Sequence, residues 1–318
     1  KSENVMLLKT LEVVDAIHKE KGIDKELIFQ SIEGALKLAA QKIHKEVTEV
    51  SINRETGQSF VTTKDGKRLT PEELGRVGAQ IGKHIIMQKI REATNDAIYK
   101  KYCKKKYSII SGYIKHQEKD FVILDLDEIE GKLPANEQVK SEQYQIGEYI
   151  RAYLLDVKKI NSKVKAIVSR KHPIFVKKLL ELEIPEIAYN TIKIKSIVRE
   201  AGYRTKIAVF SLDEKVDCIG ACIGIKGSRI QNITNELRGE KIDIIRWNSS
   251  PKLMIKNALS PAKVSYIILD EKNRKAQVFV NPSQQPLAIG KDGQNVRLAS
   301  KLCRYEIDIM AENGEIHS

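Results

Sequence analysis

The sequence predicts a multidomain α+β chain: a helical and partly stranded head, then a five-stranded β-barrel, then two tandem α/β units. Three observations carry that prediction. The first hundred residues are dominated by apolar positions at helical spacing. Five short strand-like runs follow within about 65 residues. The remainder repeats itself, with two G-x-x-G loops 66 residues apart in equivalent surroundings.

The head is read first. Leu7, Leu11 and Val14 fall at i, i+4 and i+7, with Ile17 one turn on, so the chain opens in helix. Gly22 sits where that helix would stop. Asp24 is the expected N-cap of a second helix, whose buried stripe takes in Leu27, Ile28, Ile32, Ala35, Leu36, Ala39 and Ile43. From Val47 to Thr63 apolar and polar residues alternate loosely around Glu55-Thr56-Gly57, a hairpin pattern. Thr70-Pro71-Glu72-Glu73 opens a long helix, with Thr as cap, Pro in the first helical position and Glu at the third. Ile81, Ile85, Met87, Ile90 and Ile98 are among its apolar positions, and it runs to about Tyr102. There it enters Lys100-Lys101-Tyr102-Cys103-Lys104-Lys105-Lys106. Residues 1–99 hold 16 basic and 15 acidic side chains, and this run adds five cations. It is either a solvated helix end suited to the helix dipole or a basic joint beside a nucleic-acid path.

The barrel strands come next. Tyr107–Ile114, Phe121–Leu126, a run ending in Glu130-Gly131-Lys132-Leu133-Pro134, Tyr149–Val157 and Val164–Ser169 are the candidates. Five strands this short and close suggest a barrel of the OB kind. Such barrels hold single strands on one face through aromatic and basic side chains. Phe121, Tyr113, His116 and Arg170 are the candidate contacts, with simple core packing the rival role for Phe121. Eleven basic against ten acidic residues over 107–172 make this region no electrostatic anchor.

The repeat is the most informative feature. One copy reads Ile223-Gly224-Ile225-Lys226-Gly227-Ser228-Arg229-Ile230, the other Ile289-Gly290-Lys291-Asp292-Gly293-Gln294-Asn295-Val296. Each is followed by a helix-length segment and the same triplet, Ile242-Asp243-Ile244 and Ile307-Asp308-Ile309. Each is preceded by two strand-like runs: Thr191–Val198 and Thr205–Phe210 in one, Ser265–Leu269 and Ala276–Val280 in the other. A leading helix is expected over Phe175–Leu182 in the first copy and from Ser260-Pro261 in the second. Glycine without a Cβ lets loop amides at a helix start approach a phosphate. The spacing is wrong for a dinucleotide fold, since Gly220, Gly224 and Gly227 do not make G-x-G-x-x-G. It is wrong for a Walker P-loop, since Gln285 stands where the first Gly belongs and Asp292 where the hydroxyl belongs. Two G-x-x-G loops at equal places in a repeated unit identify the KH module, which clamps the backbone of about four nucleotides.

Composition agrees with a polyanionic partner. Lys plus Arg number 55 and Asp plus Glu 42, a net charge of +13, which points to nucleic acid first and an acidic membrane surface second. At 42% hydrophobic and 31% charged the chain can build cores. Apolar runs such as Phe121–Leu124 fall far short of the ~20 residues of a membrane span. The chain starts Lys-Ser-Glu-Asn without a signal-peptide pattern. Four scattered Cys are no disulfide framework, so a reduced, cytoplasmic setting is expected. The six His are dispersed, and Cys218 and Cys222 lack a second ligand pair, so two packed thiols are expected rather than a metal site. No spacing of carboxylates singles out an acid/base pair, and neither an enzyme activity nor a cofactor is expected.

With the order head, OB barrel, KH, KH in view, the chain resembles the NusA family of bacterial transcription factors. Val13-Val14-Asp15-Ala16 and Ile28–Ala40 resemble its opening helices. Glu130-Gly131-Lys132-Leu133-Pro134 with Glu137-Gln138 resembles its barrel of the ribosomal S-one type. Glu181–Ile187, Gly220–Gly224, Gly227-Ser228-Arg229 and Gly239–Ile244 resemble the first KH domain, and Leu259–Val264 with Ala288–Ala299 the second, both of the prokaryotic type. The strand region after Asn53 is shorter than the family's usual head, and Cys218 stands where the family usually has Pro. The resemblance implies a non-enzymatic factor that binds RNA polymerase core and single-stranded nascent RNA, with other Nus antitermination factors as further partners and no membrane partner. It implies domains at 1–106 (polymerase), 107–172 (barrel), 173–251 and 252–318 (KH), acting as a monomer that modulates pausing, termination and antitermination. The expected RNA contacts are Gly224, Ile225, Lys226, Gly227, Ser228 and Arg229 in the first loop. In the second they are Gly290, Lys291, Gly293, Gln294, Asn295 and Arg297, with Phe121 and His116 on the barrel. A KH-bearing nucleolytic enzyme such as a polynucleotide phosphorylase is the rival class, but it places KH before the barrel and needs a catalytic core this chain has no residues to form. A KH-bearing GTPase is excluded by the missing P-loop.

Overall fold

A computed structural model describes residues 24–43, 45–69, 94–160 and 163–312, with isolated positions between 11 and 22 and between 88 and 92. Leu7 and Ile17 of the expected opening helix lie outside the described residues. So do the helix start at Thr70–Glu73 and Ile81, Ile85, Met87 and Ile90. Two compact units emerge. One is Lys1–Lys106 with Val157–Ala166, the other Tyr107–Asp156 with Ile167–Ser318.

In the first unit, the Asp24 carboxylate accepts the Glu26 N–H at 2.8 Å. That cap starts helix α1, Lys25–Ile43, which carries Glu26 in its first turn and Lys42 in its last, as the dipole favours. Ile28, Phe29, Ile32, Ala35 and Ala40 are buried, but Leu27 is 57% exposed. Leu27 sits about 140° round the helix from buried Ile32, off the stripe, whereas Phe29 sits about 60° from it and is buried in its place. Strands β1 (Val47–Ile52) and β2 (Ser59–Thr63) pair antiparallel with Val50 opposite Val61, as the hairpin pattern requires. The Asn53 side chain accepts the N–H groups of Glu55 and Thr56 at 2.8 and 3.0 Å and shapes the turn. A two-residue strand β3, Arg68–Leu69, joins β2; it is too short for any alternation to reveal it. Val14, Ile28, Phe29, Ile32 and Ile52 form one core, and Ala40, Val47, Val50 and Val61 another.

In the second unit five strands close a barrel: β4 (Ile109–Gln117), β5 (Phe121–Asp125), β6 (Glu130–Pro134), β7 (Tyr149–Ile160) and β8 (Lys163–Ser169), in the order β4-β5-β6-β8-β7. The outer ends of β7 and β8, residues 157–166, group with the first unit. Ile114, Val122, Leu124, Leu133, Leu154, Ala166 and Val168 fill the interior. Gly112 is required: a Cβ there would lie 2.1 Å from the Asp125 carbonyl oxygen across the β4–β5 seam.

Both repeat units follow. The first is α2 (Pro173–Glu183), α3 (Pro185–Ala188), β9 (Ile192–Glu200), β10 (Arg204–Ser211), α4 (Cys218–Ile223), α5 (Ser228–Glu236) and β11 (Lys241–Arg246). The second is α6 (Pro251–Ala258), β12 (Val264–Asp270), β13 (Lys275–Val280), α7 (Gln285–Ile289), α8 (Gln294–Cys303) and β14 (Glu306–Ala311). In each, the middle strand pairs antiparallel with the strand before it and parallel with the strand after the helices. One expectation fails. The second unit's leading helix opens at Pro251, and Ser260-Pro261 follows its end with a cis peptide bond. Pro251 occupies the first helical position and Met254, Ile255 and Ala258 form the buried stripe, a stronger start signal than Ser-Pro.

The central strands differ in burial. On β13 Ala276, Val278 and Val280 are buried and alternate with less buried neighbours, whereas β10 is buried continuously from Thr205 to Val209. The second repeat unit covers the open face of the first repeat unit's sheet. Ala208 and Ile245 of the first share one core with Ile255, Leu259, Val278, Ala299 and Leu302 of the second. Continuous burial on two faces is what such covering produces, and the shared core joins the two repeat units.

Candidate nucleic-acid interface

The two G-x-x-G loops have the same backbone. Gly224 has φ 77° and ψ 175°, Gly290 φ 76° and ψ 171°. Lys226 and Asp292 share φ of 53° and 52°, and Gly227 and Gly293 are left-handed at 78° and 71°. Hydrogen bonds repeat as well: Gly224 N–H to the Gly220 carbonyl at 2.9 Å and Gly227 N–H to the Gly224 carbonyl at 3.1 Å. In the second loop Gly290 N–H donates to Pro286 at 2.8 Å and Gly293 N–H to Gly290 at 3.2 Å. Each loop delivers the chain into a helix, α5 or α8, whose N-terminus carries no side-chain cap among the described residues. Uncapped amides at a helix start, approached over glycine, favour an anion.

The predicted contacts divide into exposed and engaged groups. Ile225 is 86% exposed, and Lys226, Ser228, Lys291 and Asp292 are exposed too. Asp292 makes no capping bond, so it faces solvent beside Lys291. Arg229 is half-buried and donates to the Ala221 carbonyl at 2.6 Å and Glu186 at 2.9 Å, so it braces α4 against α5. Asn295 is a correction to the expected contacts. It is fully buried, and its amide donates to the carbonyls of Leu259, Leu287 and Ala288. It holds the second unit's helices together and is out of reach of a ligand. Its Oδ1 is buried without a partner among the described residues. Arg297 and Gln294 both turn to Glu200 of the first repeat unit, Arg297 through Nε at 2.6 Å and Nη2 at 2.9 Å, Gln294 at 3.2 Å. Hydrogen bonding from Arg297 holds the Glu200 carboxyl below its ordinary range.

On the barrel, Phe121 is half-buried under the Lys132 ammonium, 4.1 Å from its ring centre. His116 is exposed and pairs with Glu118 at 3.0 Å. Tyr113 packs on Tyr149, both 58% exposed with ring centres 4.9 Å apart; Tyr149 lies opposite Tyr113 across the β4–β7 seam, a pairing that only strand register reveals. Arg170 is a second correction. It is 1% exposed, bonded to Glu142 at 2.5 and 2.8 Å and to the Glu236 side chain and carbonyl at 3.1 and 2.8 Å. Burial works against its charge, but the Glu142 carboxylate outweighs it and holds the guanidinium protonated. Arg170 therefore ties the barrel to α5. Beside it Arg199 and Glu240 form another buried pair at 2.8 Å, and Glu240 also accepts from Gly202 N–H and the Thr205 hydroxyl. Cys218 and Cys222 are free and buried, and burial pushes the Cys222 thiol up to about 12. No group of three His, Cys, Asp or Glu that could hold a metal occurs among the described residues.

Two loops of one conformation, carried by repeated units on a barrel, are an arrangement that comparison with known proteins can place. The NusA N-terminal domain matches residues 10–66, the NusA-like first KH domain residues 170–247 and the NusA-like second KH domain residues 251–316. The transcription termination/antitermination protein NusA of Halalkalibacterium halodurans is 38% identical, over 95% of this chain and 88% of its own. The chain belongs to the NusA family. The NusA of Bacillus subtilis is also 38% identical, over 96% of this chain and 92% of its own. That of Thermus thermophilus reaches 44% over 78% of this chain and 64% of its own. Within the NusA frame, both loops fall inside the KH matches, and Arg170 is the residue at which the first match begins. Among the described residues no helix is long and apolar enough to cross a membrane.

Proposed function

We propose that this NusA-family chain binds RNA polymerase and the emerging single-stranded RNA, and in doing so modulates pausing, termination and antitermination. The observation that carries the reading is the pair of equivalent glycine loops on one fixed tandem. In this reading residues 1–106 dock the polymerase core, and residues 107–172, 173–251 and 252–318 hold RNA. Gly224 to Ser228, with Gly290, Lys291 and Gly293, meet the phosphates, and Phe121 and His116 meet bases on the barrel. Arg229, Asn295 and Arg297 support the loops instead of touching RNA. The protein acts as a non-enzymatic, cytoplasmic monomer, with other Nus factors as further partners. Net charge is +6 over residues 1–106 and +7 over residues 107–318, so the division rests on the motifs, and both glycine loops lie beyond residue 106. A fragment of residues 1–105 is expected to bind core polymerase and to lose RNA binding. Full competition for polymerase by residues 107–318 alone would overturn the division.

A further inference from the structure

We infer that Glu200, a residue of the first KH domain, is a positioning residue for the glycine loop of the second. The inference rests on the RNA reading above and adds a residue to it. Glu200 ends β9 and faces Arg297 across the tandem. Its two oxygens take Arg297 Nε at 2.6 Å and Nη2 at 2.9 Å, a fork-to-fork pair. The same guanidinium donates through Nη1 to the Asp292 carbonyl at 3.0 Å. Asp292 is the loop residue held at φ 52°, in the left-handed region. Gln294, the first residue of α8, donates to Glu200 as well at 3.2 Å. One carboxylate thus grips both ends of the loop's exit: its left-handed peptide through Arg297, and the start of the following helix through Gln294.

The repeat shows that this grip belongs to the tandem and not to the KH unit. Counting back 66 residues, the counterpart of Arg297 is Gln231, which bonds along its own helix to Asn235 at 2.9 Å. The counterpart of Glu200 is Asp270, since each stands opposite the first residue of the next strand, Arg204 or Lys275. Asp270 accepts from its own turn, the N–H and side chain of Asn273 at 3.0 and 2.7 Å. The first loop is braced within its own unit by Arg229 and Glu186. Arg297 commits three of its five N–H groups to Glu200 and Asp292, and Glu200 neutralises its charge. Arg297 therefore acts on RNA through the shape of the loop, with Glu200 fixing the angle at which the second loop meets a strand leaving the first.

The test uses the full chain and oligouridylates of about four and about twelve nucleotides. Glu200→Gln keeps the shape and removes the charge. It is expected to weaken the longer oligomer about fivefold to tenfold, the scale of one charge-assisted contact, and to leave the shorter one unchanged. Arg297→Lys keeps the cation and removes the fork, and the same loss is expected. Trp247, the sole tryptophan, packs against the core shared by the two units, so its emission reports whether that core is intact. It is expected to stay unchanged in both variants. Loss accompanied by a Trp247 shift would make Glu200 a structural residue only and overturn the inference. Tighter binding of the longer oligomer with a steeper salt dependence would make Arg297 a masked phosphate contact and overturn it too. Wild type that binds the longer oligomer, with both variants equal to it, overturns the inference alone. Wild type that binds neither oligomer overturns the RNA reading and the inference together.

Discussion

The four loop glycines should fail in two different ways when given a methyl group. Gly224 and Gly290 combine φ near 76° with ψ beyond 170°, a region that side chains avoid at a cost of about 1–3 kcal/mol. Around Gly290 the added Cβ would also meet the backbone nitrogen of Asn295 at 2.8 Å, and helix α8 cannot yield there. Around Gly224 the nearest atom is the Arg229 Cγ at 2.8 Å, the stem of a long side chain that can shift. Gly227 is left-handed with nothing within 4 Å of the added Cβ among the described residues, so Gly227→Ala costs only the left-handed term of about 1–2 kcal/mol. In a unit of this size about 1 kcal/mol moves Tm by about 2–4 °C. Gly290→Ala should then lower Tm by about 10 °C and Gly227→Ala by about 4 °C. RNA binding should order them the other way relative to stability. The Gly227 methyl would stand in the open space over the helix start, where the proposed function puts the phosphate, and should cost about tenfold in affinity in protein that is still folded, or about 1.4 kcal/mol. Calorimetry and fluorescence anisotropy on the same samples give both numbers. Wild-type affinity in Gly227→Ala, or an unchanged Tm in Gly290→Ala, would refute the reasoning.

Three further predictions follow from individual contacts. Lys226→Asp should weaken RNA binding and flatten its salt dependence by about one unit of slope, because one phosphate contact is lost; an unchanged slope would remove Lys226 from the interface. Arg170→Met leaves the Glu142 carboxylate buried without its cation, with the Tyr144 hydroxyl still donating to it at 2.8 Å, at a cost of about 3–5 kcal/mol, and Arg170→Met with Glu142→Leu should recover most of it in urea melts. If the single variant is as stable as wild type, the buried pair does not tie the barrel to α5. Cys222, whose thiol burial raises to about 12, should resist iodoacetamide at neutral pH in the native protein and react once urea unfolds it; mass spectrometry showing native alkylation would contradict its buried place.

The repeat and the strands were legible in the sequence because their signals are local. The apolar run Phe121–Leu124 and the G-x-x-G spacing each fit within a few residues, and the structure places a strand and a loop at each. The start of the second unit's helix was misplaced because Ser260-Pro261 resembles a helix start, whereas the apolar stripe beginning at Met254 decides the matter. The site residues divide by the range of their partners. Lys226 and Ile225 are exposed because the loop is, so the motif alone anticipates their exposure. Arg170, Asn295 and Arg297 are polar residues near the motifs, and the sequence suggested RNA contact for all three. Their partners are Glu142, the carbonyls of Leu259, Leu287 and Ala288, and Glu200. Arg297 and Glu200 are 97 residues apart, and no periodicity links two side chains across a docked pair of domains.

The continuity of the RNA track is tested most directly by titrating the full chain with single-stranded oligomers of increasing length. The shared core of the two KH domains fixes both loops on one body, so affinity should climb with length until one strand spans both. Affinity that saturates at about four nucleotides, the reach of one loop, would show that the loops bind RNA independently and contradict the account.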